Sequence, residues 1–262
     1  MEKKKRTTVL KSLLLTIAVL IAAGLFTVTA SAASFRQVTD KKVKTGKYYV
    51  WTELNMNTYQ KSLYFSKTSK GSKTKVATDT GIALTDGSSI YFGYQTSKNK
   101  KDNLTIYKYS MAQKKKSKVV SFNIWGTLEG INNNELIISQ NNRNLKSKKY
   151  AFDIFSYNLK TKKKKVVSHI CPHMEYNNRY IVGVLRKQPD GPGSSGPLYI
   201  YDIRKNKNIL VRKSAQIIAS SDEDYNNGLI YFYADGQWSP SWCLNLKKMT
   251  ISRYGSPERP VC

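Results

Sequence analysis

Histidine and cysteine are nearly absent, with two and three copies in 262 residues. Cys171, Cys243 and Cys262 are too few and too scattered for a disulfide framework, so at most one bridge forms and one thiol is left over. Acids are scarce as well, 17 against 44 Lys and Arg. There is no Gly-x-Ser-x-Gly elbow, no phosphate loop and no His-Glu-x-x-His, which removes the common hydrolase, nucleotide-binding and zinc-protease signatures. No cofactor is expected. Helical periodicity is missing beyond the first 32 residues, which excludes helix bundles and coiled coils.

The one long apolar run is at the start, MEKKKRTTVLKSLLLTIAVLIAAGLFTVTASAASF. Lys3, Lys4, Lys5, Arg6 and Lys11 form a cationic segment, residues 13–28 an apolar one, and Ala30-Ser31-Ala32 sets small residues at the positions a signal peptidase inspects. Residues 1–32 are therefore expected to be a signal peptide, the alternative being an uncleaved anchor of nearly the roughly 20 residues that span a bilayer. No Cys follows the run to carry a lipid, and GSPERPVC shows no wall-sorting pattern. The expected address is secreted, loosely associated with the cell wall, touching membrane only through an uncleaved leader. Removing the five basic residues and one acid of residues 1–32 from 44 and 17 leaves 39 and 16, a net charge of +23. Outside the cell such a charge is expected to meet anionic wall polymer or glycan. The Lys runs lack interleaved aromatics, so nucleic acid is not an expected partner.

What the sequence has in quantity is short strands between turn formers. GSSIYFGYQ, NLTIYKYS and KVVSF follow one another between Gly87 and Phe122, each rich in the β-branched and aromatic residues that a pleated, half-buried surface selects. The phrase recurs. Strands after a Gly/Asn turn start at Tyr48, Ile90, Leu136, Tyr180 and Leu229, and a second set centres on Tyr64, Tyr107, Phe155, Ile200 and Leu244. With short inner strands near Ile82, Leu128, Met174 and Ile218, each period holds four strands. This predicts an all-β fold, a β-propeller of about five four-stranded blades in a single domain over 33–262, with units near 34–80, 81–123, 124–169, 170–214 and 215–262. A β-sandwich of irregular hairpins is the competing fold, and an incomplete six-bladed ring the competing count.

The run G/N-x-IYF, then LYxYD/N-L, a Lys-rich turn and a Val-Val strand resembles the TolB-like and YWTD-type propellers, in particular uncharacterised secreted versions from Gram-positive bacteria. LYIYDI from Leu198 and IYKYSM from Ile106 carry the resemblance best, and it spans roughly residues 48–254. The Tyr-Trp-Thr-Asp run itself is missing, and five units fall short of the usual six. The resemblance implies an extracellular interaction scaffold and brings no catalytic residues.

Three sets of residues are candidate sites. Lys-rich turns join the third and fourth strands of each unit, at 67–75, Lys114, Lys115, Lys116 and Lys118, Lys162, Lys163, Lys164 and Lys165, 204–207 and 247–248. Equivalent turns of a propeller share one end of the ring, so they are expected to concentrate charge for a polyanion; the bland alternative is that Lys is a soluble turn residue that deters edge pairing. At the opposite end, long loops place Gln188, Asp190 and Trp238 where a ligand would sit; Trp51, Trp125 and Trp242 are expected in the core. His169, Cys171 and His173 share one face of an ideal strand and suit zinc or copper, with chance clustering as the alternative. Asp86, Glu129, Asp222, Glu223 and Asp224 flank the inner strands and can reach a central funnel. The expected function is a secreted, non-catalytic envelope-binding scaffold; a carbohydrate-binding or glycoside hydrolase-like propeller is the alternative, to be recognised by carboxylates converging within about 5–10 Å.

Overall fold

The computed structural model describes residues 35–98, 101–142, 147–187, 195–218, 222–233, 242–253 and 259–261. The expected signal peptide lies outside the described residues. Those described are almost entirely strand, and the six-residue helix Asp222–Asn227 is the one helix among them.

A two-residue strand β1 (Arg36–Gln37) precedes the first meander, β2 (Val43–Thr45), β3 (Tyr48–Asn55), β4 (Gln60–Ser66) and β5 (Thr74–Thr78). The second is β6 (Ala83–Thr85), β7 (Ser89–Lys98), β8 (Lys101–Ser110) and β9 (Lys115–Phe122), and β1 returns to pair with the free edge of β6. The third is β10 (Gly126–Asn132), β11 (Glu135–Asn141), β12 (Phe152–Asn158) and β13 (Lys164–Ser168); the fourth is β14 (Ile170–Tyr176), β15 (Tyr180–Leu185), β16 (Ser195–Asp202) and β17 (Lys207–Ile217). Then come β18 (Leu229–Tyr233), β19 (Trp242–Asn245), β20 (Thr250–Arg253) and β21 (Arg259–Pro260). Every pairing is antiparallel between chain neighbours except β1 with β6, which is the strand order of propeller blades. The last two units are not separated by a break: β17 is long enough to pair with β16 and, through Gln216 and Ile217, with β18, giving one eight-stranded sheet.

The core lies between successive meanders. Val50, Leu63 and Phe65 of the first meet Ile90, Phe92 and Tyr109 of the second. Leu104 and Ile106 meet Leu128, Leu136 and Phe155 of the third, while Ile137 and Ile154 meet Ile181 and Tyr201 of the fourth. Val182, Leu198 and Ile200 meet Ile230, Phe232 and Leu244 of the last. Each such side chain contributes about 1.5–3 kcal/mol of burial. A sheet that buries both faces against its neighbours in series is not one half of a sandwich.

One turn is used repeatedly. In N-L-K-T-K-K (158–163), D-I-R-K-N-K (202–207) and N-L-K-K-M-T (245–250), the leading Asn or Asp accepts from the backbone N–H groups two and three residues on, at 2.9–3.1 Å. The fifth residue, Lys162, Asn206 or Met249, takes a positive φ of +60°, +49° or +52°. A short polar side chain that mimics a backbone acceptor is what closes such a turn. The second residue of the turn points inward: Ile203 and Leu246 are fully buried, as is Met111 in the related S-M-A-Q-K-K turn.

The segment before the first meander is tied between three others. Asn178, buried at φ +51°, accepts from Ile131 N at 2.8 Å and donates to Ile131 O at 2.8 Å and Phe35 O at 3.4 Å. Gln37 Oε1 accepts from Asn177 N at 3.2 Å, and Val38 N donates to Ala83 O.

A cavity with a buried carboxyl pair

Two irregularities in the innermost strands build the site. The β10–β11 register passes from Leu128 opposite Ile138 to Gly130 opposite Ile137, skipping Glu129. The β14–β15 register passes from Pro172 opposite Gly183 to Met174 opposite Val182, skipping His173. A bulge leaves its extra residue outside the ladder and re-aims the side chain. Here both bulged residues line one cavity of about 590 Å³, together with Glu175. Gly183 allows the close approach beneath the second bulge, because a Cβ there would stand 2.1 Å from the Cys171 carbonyl oxygen.

Glu129 is 2 % exposed. Its Oε1 accepts from Ser139 Oγ, while Oε2 is buried and meets no N–H or hydroxyl donor. Glu175 lines the same cavity and is partly exposed through it. Burial pushes Glu129 up, against the opposing bonds from Glu175 and Ser139. Burial first, then the charge and hydrogen bond of Glu129, raise Glu175 well above the usual carboxylate range, with a backbone bond and Lys61 pulling the other way. Two carboxylates cannot both ionise at this distance in a dry site.

The remaining wall mixes hydroxyl and amide groups (Thr52, Thr80, Thr127, Asn141) with Ile82, Phe152 and the indole of Trp125. Trp125 corrects the expectation of a core residue: it is 51 % exposed and stands at the cavity. It lies in the connection between β9 and β10, where no neighbouring sheet covers it. Trp51 is buried as expected, and Trp242 is partly buried under Arg212. Thr80, Gly81, Ile82 and Trp125 all belong to connections from a fourth strand to the next first strand. In an up-and-down meander these lie at the opposite end from the third-to-fourth-strand turns.

The turns form at these places, but they are shorter than expected: Lys114, Lys162 and Lys163 belong to them, while Lys115, Lys116 and Lys118 lie in β9 and Lys164 and Lys165 in β13, all exposed. Several ammonium groups lie back over aromatic rings of the third strand. Lys116 sits over Tyr107 at 4.8 Å and Tyr94 at 5.6 Å, and Lys164 over Phe155 at 3.6 Å while donating to Gln140 at 3.0 Å. Burial of that ammonium, with the nearby charge of Lys148, lowers the Lys164 pKa. These stems cover apolar surface as well as carrying charge.

His169, Cys171 and His173 are not brought together. The bulge between Pro172 and Met174 breaks their common face: Cys171 is in the core, His173 lines the cavity, and His169 Nδ1 bonds Asp153 Oδ1 at 2.7 Å while its ring stacks on Tyr150. Among the described residues no three His, Cys, Asp or Glu side chains are grouped to hold a metal ion. Asp153 itself is buried; burial raises its pKa, but the hydrogen bonds from Lys148, Asn142 and His169 outweigh this and hold it below the ordinary carboxylate value. Gln188, Asp190 and Trp238 lie outside the described residues, as do the side chains of Asp222 and Glu223. Asp86 caps its own turn, accepting from Ser88 N and Ser89 N. Glu129 was among the acids expected near a funnel. Glu175 was not, and only the partner's position identifies it.

No protein-family model and no curated protein sequence matches the chain. Among solved structures it is similar to TolB from Acinetobacter baumannii, with 14 % identity over 74 % of this chain and 52 % of that one at a TM-score of 0.39. It is also similar to the β-propeller domain of the Trilobed protease from Pyrococcus furiosus, with 15 % identity, 87 % and 72 % coverage and a TM-score of 0.43. An acylaminoacyl peptidase from Pyrococcus horikoshii gives 12 % identity, 82 % and 37 % coverage and a TM-score of 0.45. The chain thus spans about half the length of the TolB structure and just over a third of the peptidase.

Proposed function

We propose that the protein is an exported, non-catalytic binding protein, a ring of five blades whose cavity beside Glu129 and Glu175 takes the end of a saccharide. The observation that carries this reading is Trp125, an exposed indole on a cavity otherwise rich in hydroxyl, amide and carboxyl groups. An aromatic face for a pyranose ring with hydrogen-bonding groups of both kinds beside it is what a sugar needs. The test is a panel of oligosaccharides against wild type and Trp125→Ala. A saccharide that binds wild type and loses tenfold or more with Trp125→Ala is the expected result; a panel without binders, or a variant that binds equally well, refutes it.

The Lys-rich turns support a second, looser role, association with anionic wall polymer through Lys114, Lys115, Lys116 and Lys118 and Lys162, Lys163, Lys164 and Lys165. What favours it is that they cluster in the third-to-fourth-strand turns and the starts of β9 and β13, and that none of them lines the cavity. Attraction of this kind is screened over about 8 Å at physiological salt, so retention on cell wall is expected to fall as NaCl rises, and retention at high salt refutes it.

A further inference from the structure

We propose that the carboxyl pair of Glu129 and Glu175 is the seat of an amine, so that the saccharide taken by the cavity is an amino sugar with a free ammonium group. The inference rests on the saccharide reading above and adds the ligand's charge to it.

Three observations carry it. The first is an unfilled acceptor: Glu129 is 98 % buried by its exposure of 2 %, lines the cavity, and leaves Oε2 without an N–H or hydroxyl donor. The second is the absence of a protein cation where one is easily supplied. The chain has 44 Lys and Arg, yet among the described residues the ion pairs are Lys73 with Glu53, and Lys148 and His169 with Asp153. Neither member of the buried pair has such a partner. Burying a carboxylate without a partner is costly, and a lysine in place of a neighbouring threonine would have removed that cost. The third is the indole of Trp125 on the same cavity, which attracts a cation by its face as well as stacking on a sugar.

Burial and the neighbouring charge of Glu129 favour a proton on Glu175, and an ammonium can take its place. The ligand's R–NH₃⁺ enters, the proton on Glu175 leaves to solvent, and both carboxylates then accept N–H bonds. Charge balances, with one cation exchanged for another. A metal ion fits less well, since it needs a third ligand and no such group of three is present among the described residues. The other titratable groups on the cavity are Lys61 from β4 and His173 from β14. Lys61 already pulls the Glu175 pKa down without an ion pair.

The experiment is titration calorimetry of the full chain with three tetrasaccharides: glucosamine, its N-acetylated counterpart and a neutral glucose oligomer. At pH 6, the glucosamine form is expected to bind at least tenfold more tightly than the other two. Its heat is expected to differ between phosphate and an amine buffer by the amount that release of one proton requires. Glu175→Gln removes the exchangeable proton and one charge while keeping the shape, and is expected to bind all three alike. Equal affinities in wild type, or no proton release, overturn the amine assignment while leaving the saccharide reading intact. Binding of Ca²⁺ or Mn²⁺ alone that Glu175→Gln abolishes also overturns it. Failure of every tetrasaccharide, with Trp125→Ala unchanged from wild type, overturns both.

Discussion

Replacing Glu175 by Gln should stabilise the protein, and by an amount that grows with pH. The folded chain holds Glu175 well above the ordinary glutamate value of 4.5, first through burial and then through the charge of Glu129. Such a group stabilises the fold fully below its unfolded pKa, and that stabilisation is lost as pH rises toward the folded pKa. In that window the folded state keeps a proton that the unfolded state has released, so stability falls by about 1.4 kcal/mol per pH unit for the one proton. Gln does not titrate, and its amide N–H supplies Glu129 Oε2 with the donor it otherwise lacks. Urea unfolding at successive pH values above 4.5 should show the variant pulling ahead as pH rises, by at most about 1.4 kcal/mol per unit. Parallel curves for the two proteins from pH 4.5 upward would refute a raised Glu175 pKa.

Asn178→Ala should cost about 2–4 kcal/mol, since it orphans Ile131 N and the Ile131 and Phe35 carbonyls and puts Ala at φ +51°; Asn178→Gly, free of the strain, should recover only part of this in the same denaturation assay. Gly183→Ala sets its Cβ 2.1 Å from the Cys171 carbonyl oxygen, and a loss of about 2–3 kcal/mol with a disturbed cavity is expected, read by thermal melting. Asp153→Asn should cost about 1–3 kcal/mol at neutral pH, because its lowered pKa marks stabilisation present above the unfolded value and lost as pH falls through the folded one; the gap to wild type should narrow in acid-unfolding curves as pH falls below the ordinary aspartate value of 3.8. Serine at Lys114, Lys115, Lys116 and Lys118 should halve or more the retention on an anionic polymer column at low salt and leave Tm within about 2 °C, as read by salt-gradient elution and melting.

The strands were legible because their signal is local. Alternating β-branched and aromatic residues between Asn, Asp and Gly turns mark the places of β7, β8, β12, β16 and β18, although β7 and β8 run on through polar residues, to Lys98 and from Lys101, that carry no strand pattern, and the D/N-L or D-I phrase ending the third strands is the turn itself. The site was legible only in part. Glu129 could be guessed because it sits in a short strand beside an axis, but Glu175 in MEYNNRY reads as one polar residue before a turn. Strict alternation assigns His169, Cys171 and His173 to one face, and the bulge at His173 undoes this. No local pattern announces a bulge, which is decided by how two strands meet their neighbours. Trp125 differs for the opposite reason: an aromatic near a strand is usually core, but this one falls in the connection between β9 and β10 and is 51 % exposed.

The two bulges separate the functions of one repeated strand. A regular inner strand offers alternate residues to the two neighbouring sheets, and in β10 and β14 those are Leu128, Ile131 and Met174, all buried. Keeping them buried fixes the outer register of each strand; Glu129 and His173 reach the cavity as extra residues, whereas Glu175 and Thr127 reach it from paired positions opposite Ile181 and Ser139. Because the ladder resumes on either side, a change at Glu129 or His173 alters the cavity without shifting the apolar contacts that hold the sheets together. The bulge therefore confines the desolvation cost of Glu129 to the cavity, in a chain that has few acids to place there.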